Sequence, residues 1–157
     1  DMPLSDTYNL KIVLAANSGF SFQVPNKDQP ISDTNKLYVD GMFVGRGWSS
    51  LYDDNAARGD LMINHALELR VPIVPNTFAA DFFLDAVAVK KDIQSLSDLS
   101  LNDYYFSYGP GIRFLIPQFP LRLMFANTFR IQDGKWVWRN GESADWTFVL
   151  SFNMANL

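Results

Sequence analysis

Six stretches of this chain alternate between apolar residues and small or charged ones with a period of two. That rhythm limits the fold more than any other feature. Over about 8–17, Tyr8, Leu10, Ile12, Leu14 and Ala16 oppose Asn9, Lys11, Val13, Ala15 and Asn17. The pattern returns over about 61–71, 77–89, 104–116, 121–131 and 146–154. A period of two puts successive side chains on opposite faces of a strand. In the second stretch Leu61, Ile63, Leu67, Leu69 and Val71 share a face with His65, against Asn64, Glu68 and Arg70. Phe82, Leu84, Ala86 and Ala88 then oppose Asp81, Phe83, Asp85 and Val87. Phe106, Tyr108, Ile112 and Phe114 oppose Ser107, Gly109, Gly111 and Arg113. Leu121, Leu123, Phe125 and Phe129 oppose Arg122, Met124, Thr128 and Arg130. In the last stretch Trp146, Phe148, Leu150 and Phe152 oppose Thr147, Ser151 and Asn153.

The connections carry a second regularity. Short turns are expected at Pro72–Asn76 and Pro117–Pro120, and long loops at about 23–60, 90–103 and 132–145. The last of these holds two hairpin signals, Asp133-Gly134 and Asn140-Gly141. The polar face gathers Lys11, Glu68, Arg70, Asp85, Arg113, Arg122 and Arg130. A soluble sandwich turns its polar face to water and has no reason to alternate loop lengths. A transmembrane barrel has an apolar outside, a polar lumen, short turns at one end and long loops at the other. Tyr104, Tyr105, Trp136, Trp138 and Trp146 would then form interfacial girdles. Since the smallest such barrels have about eight strands, residues 1–157 are expected to be the C-terminal part of a larger barrel. The opening Asp1-Met2-Pro3, with no signal segment, reads as an internal start.

Composition narrows the function. A net charge of −4 offers nothing for nucleic acid. The absence of cysteine removes disulfides, thiol catalysis and thiolate metal sites. His65 is the only histidine and falls on the apolar face, so no hydrolytic triad is expected. Asp53-Asp54-Asn55 reads as a turn rather than a metal site, and Gly109-x-Gly111 lies within a strand with no helix to receive a phosphate. Neither enzymatic activity nor a cofactor is expected.

The longest loop contains Met42-Phe-Val-Gly-Arg-Gly-Trp48, too apolar to be left in water. Arg46 stands between Gly45 and Gly47, with Trp48 next in line. One reading is a loop that folds back and delivers a single buried cation to a carboxylate. The other is a surface arginine beside a packed tryptophan.

These residues together resemble the BamA family of outer-membrane barrel assembly and insertion factors, over about Tyr8 to Asn156. Gly45-Arg46-Gly47-Trp48 is similar to the family's hydrophobic-Arg-Gly-aromatic motif, with Gly45 where Val or Ile is usual. Phe83-Leu-Asp85-Ala-Val87 is similar to its Phe-x-Asp-x-Gly strand, with Val87 in place of Gly. Gly109-Pro-Gly-Ile-Arg-Phe114 and Pro117-Gln-Phe-Pro-Leu-Arg122 complete the resemblance. Ser107-x-Gly109-x-x-Ile112-x-Phe114 also fits the pattern of barrel-targeting signal strands.

The resemblance implies a loop folded into the lumen, with Arg46 paired to Glu68 and Asp85. It also implies an outer-membrane location, client outer-membrane proteins and the lipid bilayer as partners, and accessory lipoproteins. Client strands would add at a lateral gate whose one side is Trp146, Phe148, Leu150 and Phe152. Open edges would allow self-association. A two-partner secretion transporter of the same superfamily and a diffusion porin are the alternatives.

Overall fold

The computed structural model describes residues 12–26, 29–52, 54–74, 76–115, 121–139, 141 and 143–152. Its strands are β1 (Val13–Phe22), β2 (Leu37–Tyr38), β3 (Arg58–Gly59), β4 (Leu61–Val74), β5 (Phe78–Lys90), β6 (Tyr104–Phe114), β7 (Leu121–Gln132), β8 (Lys135–Trp138) and β9 (Trp146–Phe152). Seven of them form one antiparallel sheet in the order β1-β4-β5-β6-β7-β8, with β9 also paired to β7. β2 and β3 make a separate two-stranded ribbon within the long loop.

The two faces of the sheet differ as the alternation predicts. Leu14, Phe20, Phe22, Leu67, Leu69, Phe82, Leu84, Ile112, Phe125, Phe148 and Leu150 point the same way and are exposed. So large an exposed apolar surface calls for a lipid environment. Glu68, Asp81, Asp85, Ser107, Arg113 and Thr128 share the opposite face and are buried. Phe83, Met124, Ala126 and Val149 form an apolar floor among them. The four longest strands, at 11 to 14 residues each, reach or exceed the roughly 9–11 residues a tilted strand needs to cross a bilayer.

Three expectations need correction. The first strand runs on to Phe22 rather than ending at 17, because Gly19-Phe-Ser-Phe22 continues the alternation and pairs with Leu61–Asn64. Residues 8–11 lie outside the described residues. β4 runs on past Pro72 to Val74, and a register shift between Pro72 and Val74 absorbs the missing N–H donor.

The expected 132–145 loop is the largest revision. Asp133 and Gly134 both take left-handed φ, 51° and 73°, which gives a tight hairpin turn. The chain therefore reverses at once, and β8 pairs with Phe129–Gln132. Trp136 stacks on Phe129 with ring centroids 3.4 Å apart. Pairing with β7 resumes at Trp146 opposite Asn127. Arg139, whose N–H still donates to the Thr128 carbonyl of β7, forms an ion pair of 2.7 Å with Asp145 just before β9. The turn at Pro117–Pro120 and the end of the last strand after Phe152 lie outside the described residues.

The 90–103 connection contains two short 3-10 helices, Ile93–Asp98 and Leu101–Asp103. Ser100 and Asp103 form a capping box, and Lys90 reaches Asp103 at 2.8 Å. Partial burial pushes the Asp103 carboxyl up, but the hydrogen bonds from Lys90 and Ser100 outweigh it and hold the group below its usual range.

Candidate functional site

The long loop closes over the polar face of the sheet. Its turn begins at Asp40, whose Oδ1 accepts the backbone N–H groups of Met42 (2.7 Å), Phe43 (2.7 Å) and Val44 (3.0 Å). Gly45 and Gly47 hold φ of 64° and 88°, which side-chain-bearing residues rarely adopt. A Cβ on Gly47 would lie 2.6 Å from Ala126 Cβ, so glycine lets the loop backbone rest directly on β7. Trp48 is buried beside it, with Nε1 donating to the Phe106 carbonyl at 2.9 Å and its ring 5.2 Å from Tyr105. Val39, Leu51, Ala57 and Val87 pack around that ring. This apolar cluster ties the loop to the sheet, because lifting it would expose an indole and several aliphatic groups together.

Between the two glycines Arg46 points at the sheet. Its Nε donates to Asp85 Oδ2 at 2.7 Å and its Nη2 to Asp85 Oδ1 at 2.5 Å, a bidentate fork. Its Nη1 donates to Glu68 Oε1 at 2.6 Å, and the Arg46 backbone N–H also reaches Asp85 Oδ2 at 3.3 Å. The guanidinium lies 4.2 Å from the centre of the Phe83 ring. That contact lays the cation over the apolar floor of the inner face.

Alternation places further charged residues on this face, but their convergence appears only in the structure. Glu68 accepts from Arg122 at Oε1 (2.6 Å) and from Arg70 and Arg113 at Oε2 (both 2.8 Å). Asp81 takes Arg113 Nε at 3.0 Å and Arg122 Nη2 at 3.3 Å. Four guanidinium groups thus share three carboxylates, linking the loop to β4, β5, β6 and β7. Parity in the sequence marks Arg70, Arg113 and Arg122 as inward-facing. Only register brings them within reach of Glu68.

Gly45 and Val87, where the chain departs from the motifs quoted above, lie against each other. A Cβ on Gly45 would meet Val87 Cγ1 at 2.8 Å and Val39 Cγ1 at 2.7 Å. The side-chain volume missing from the loop is supplied by the strand.

The expected gate residues Trp146, Phe148 and Leu150 lie on β9 and point outward, away from this network, and Phe152 ends the strand opposite Leu121. Among the described residues β9 pairs only with β7. His65 also faces outward, hydrogen-bonded through Nδ1 to Ser18 Oγ at 2.9 Å. Asp53, of the acidic triplet, lies outside the described residues.

An antiparallel meander with an apolar outer face, a charged inner face and a loop folded onto that inner face is part of the wall of a β-barrel. The chain belongs to the Omp85 superfamily, whose domain matches residues 2–154. It is 36% identical over 181 residues to a protein of Treponema pallidum (strain Nichols) described as a putative outer membrane protein assembly factor. That match covers 99% of this chain and 21% of the relative, so the chain spans about a fifth of the relative's length. No solved structure matches the chain.

Proposed function

We propose that this chain is the C-terminal wall of an outer-membrane assembly factor, and that incoming outer-membrane proteins add their strands to its last strand, β9. The observation that carries the reading is the long loop locked onto the inner face by the Arg46 network and the Trp48 cluster. An open edge offers unpaired backbone donors and acceptors to any extended segment, with little demand on its sequence. The loop supports the same reading over a diffusion pore. A loop fixed by an apolar cluster and a buried ionic network occupies the inner face that a pore would leave to solute. The work would be done by backbone pairing, without covalent chemistry or a cofactor. Lipid would contact the outer face, and accessory lipoproteins would serve the complete assembly.

The test uses the protein as the cell makes it, reconstituted in phospholipid vesicles. It should accelerate insertion of a urea-unfolded outer-membrane protein, and a photo-crosslinker at Leu150 should capture that client. Vesicles that show neither effect would rule the reading out.

A further inference from the structure

The outward face of the sheet is not evenly filled. Across β1, β4, β5 and β6 it carries a hollow of about 240 Å³. The small side chains of Ala16, Ser18 and Ala86 leave the depth, and Leu67, Leu84 and Phe106 rise around it. His65 borders the same hollow. We propose that it is a phospholipid site: it holds one acyl chain, and His65 Nε2 donates a hydrogen bond to the ester carbonyl of that lipid. Nothing in this depends on strand addition at β9.

Position decides what covers the hollow. It lies on the broad face whose exposed leucines and phenylalanines call for a lipid environment. Further strands of a barrel join β1 edge to edge, in the plane of the sheet, so they extend this face without covering it. An acyl chain would fill the gap, because an empty hollow forfeits the dispersion contacts of its lining.

A polar pair in the hollow says more about the lipid. Ser18 and His65 are both exposed and stand opposite each other on β1 and β4, with Ser18 Oγ 2.9 Å from His65 Nδ1. Among the described residues Nε2 has no hydrogen-bond partner. A ring nitrogen left without one against hydrocarbon is costly. The ester groups of a phospholipid offer only acceptors. That chemistry places the ring hydrogen on Nε2 and makes the Ser18 hydroxyl the donor to Nδ1.

Depth agrees with an ester. Lys90, opposite Leu61 at the end of β4, is ion-paired with Asp103 at 2.8 Å and marks the hydrated level. His65 lies further in along the same strand. A separation of that length is roughly 13 Å along the strand, or about 9 Å in depth at a tilt of about 45°. The headgroup region of one leaflet is roughly 5–8 Å deep, so the imidazole reaches its boundary with the hydrocarbon. Tyr104, whose ring stacks 6.2 Å from the imidazole, suits the same boundary.

The test uses the full-length protein in detergent, with a photo-crosslinker either at Leu67, beside the hollow, or at Ile112, exposed elsewhere on the outward face. Added phosphatidylglycerol should label the Leu67 site saturably and the Ile112 site only in proportion to lipid. A diether analogue has the same chains and headgroup but no ester carbonyl. It should need about three- to tenfold more lipid for half-saturation in the unsubstituted protein, the worth of one hydrogen bond. His65→Leu should weaken the diester lipid by the same factor and erase the diester–diether difference. Ala86→Trp, which fills the hollow, should remove saturation at Leu67. Proportional labelling at both sites would leave bulk lipid alone and overturn the site. Saturable labelling that ignores both the ester and His65→Leu would overturn the hydrogen bond on which the proposal turns. Capture of a protein at Leu67 in intact cells, undisplaced by added lipid, would give the hollow to a protein partner instead.

Discussion

Removing the Arg46 side chain would affect its two carboxylate partners unequally. Glu68 would keep Arg70, Arg113 and Arg122, whereas Asp85 would retain only the weak 3.3 Å bond from the Arg46 backbone. Breaking a buried ion pair from one side costs about 3–5 kcal/mol, largely through the charge left behind. Arg46→Ala should therefore loosen the loop while the strands persist, read as faster proteolysis between Leu37 and Gly59. Adding Asp85→Asn should recover part of that loss, and Arg46→Lys should do so only partly because it lacks the fork. Equal cleavage rates in Arg46→Ala and the unsubstituted protein would mean that the apolar cluster alone holds the loop.

Gly45 makes a second, sharper case. Gly45→Val adds volume where Val39 and Val87 already stand, and it does so at φ 64°. Val87→Gly in the same chain removes one of the two clashes but leaves the backbone strain, about 1–3 kcal/mol for such a conformation. The double variant should melt between Gly45→Val and the parent.

Among the elements, the seam between β7 and β9 carries a built-in polar defect. Asn127 lies on the outward face, fully buried, and its carboxamide oxygen and nitrogen both lack partners. Its register neighbours are Tyr108 and Trp146, whose rings lie 5.9 Å apart. A buried amide without hydrogen bonds costs about 1–3 kcal/mol relative to a satisfied or apolar group. Asn127→Leu should raise the urea midpoint of the membrane-embedded protein and slow amide exchange along β9. A lowered midpoint would show that the amide is satisfied after all. β7 pairs with β8 over Phe129–Gln132 and with β9 over Leu121–Asn127, in two short ladders rather than one long one.

For the whole molecule, the sheet has one face for lipid and one for the loop, and the two should respond oppositely to charge. Leu67→Arg or Leu84→Arg puts a guanidinium on the exposed apolar face, at a cost of about 2–4 kcal/mol near the bilayer midplane. Ala15→Arg places the same group on the inner face, turned away from lipid, and should cost less. Urea unfolding in bilayers would compare them directly. Equal losses on both faces would contradict the barrel wall.

The sequence by itself determined that six stretches are strands and which way their residues point. A period of two is a local property of the extended backbone, readable at Leu67-Glu68 or Leu84-Asp85 without knowing any neighbour. Its resemblance to a known family also marked Arg46, Glu68 and Asp85 as a set. Tertiary structure alone decided what depends on register and close approach. No spacing along the chain says that Arg113 and Arg122 meet at Glu68 and Asp81, since their residues are 32 to 54 positions apart. Nor does it say that the glycine at 45 answers the valine at 87. The same holds for β8, where Trp136 and Trp138 looked like loop aromatics until the left-handed turn at Asp133-Gly134 folded them back onto β7. Alternation sets the direction of a side chain, but the partner it meets is set by cross-strand register, and that follows from turn geometry and the packing of the whole sheet.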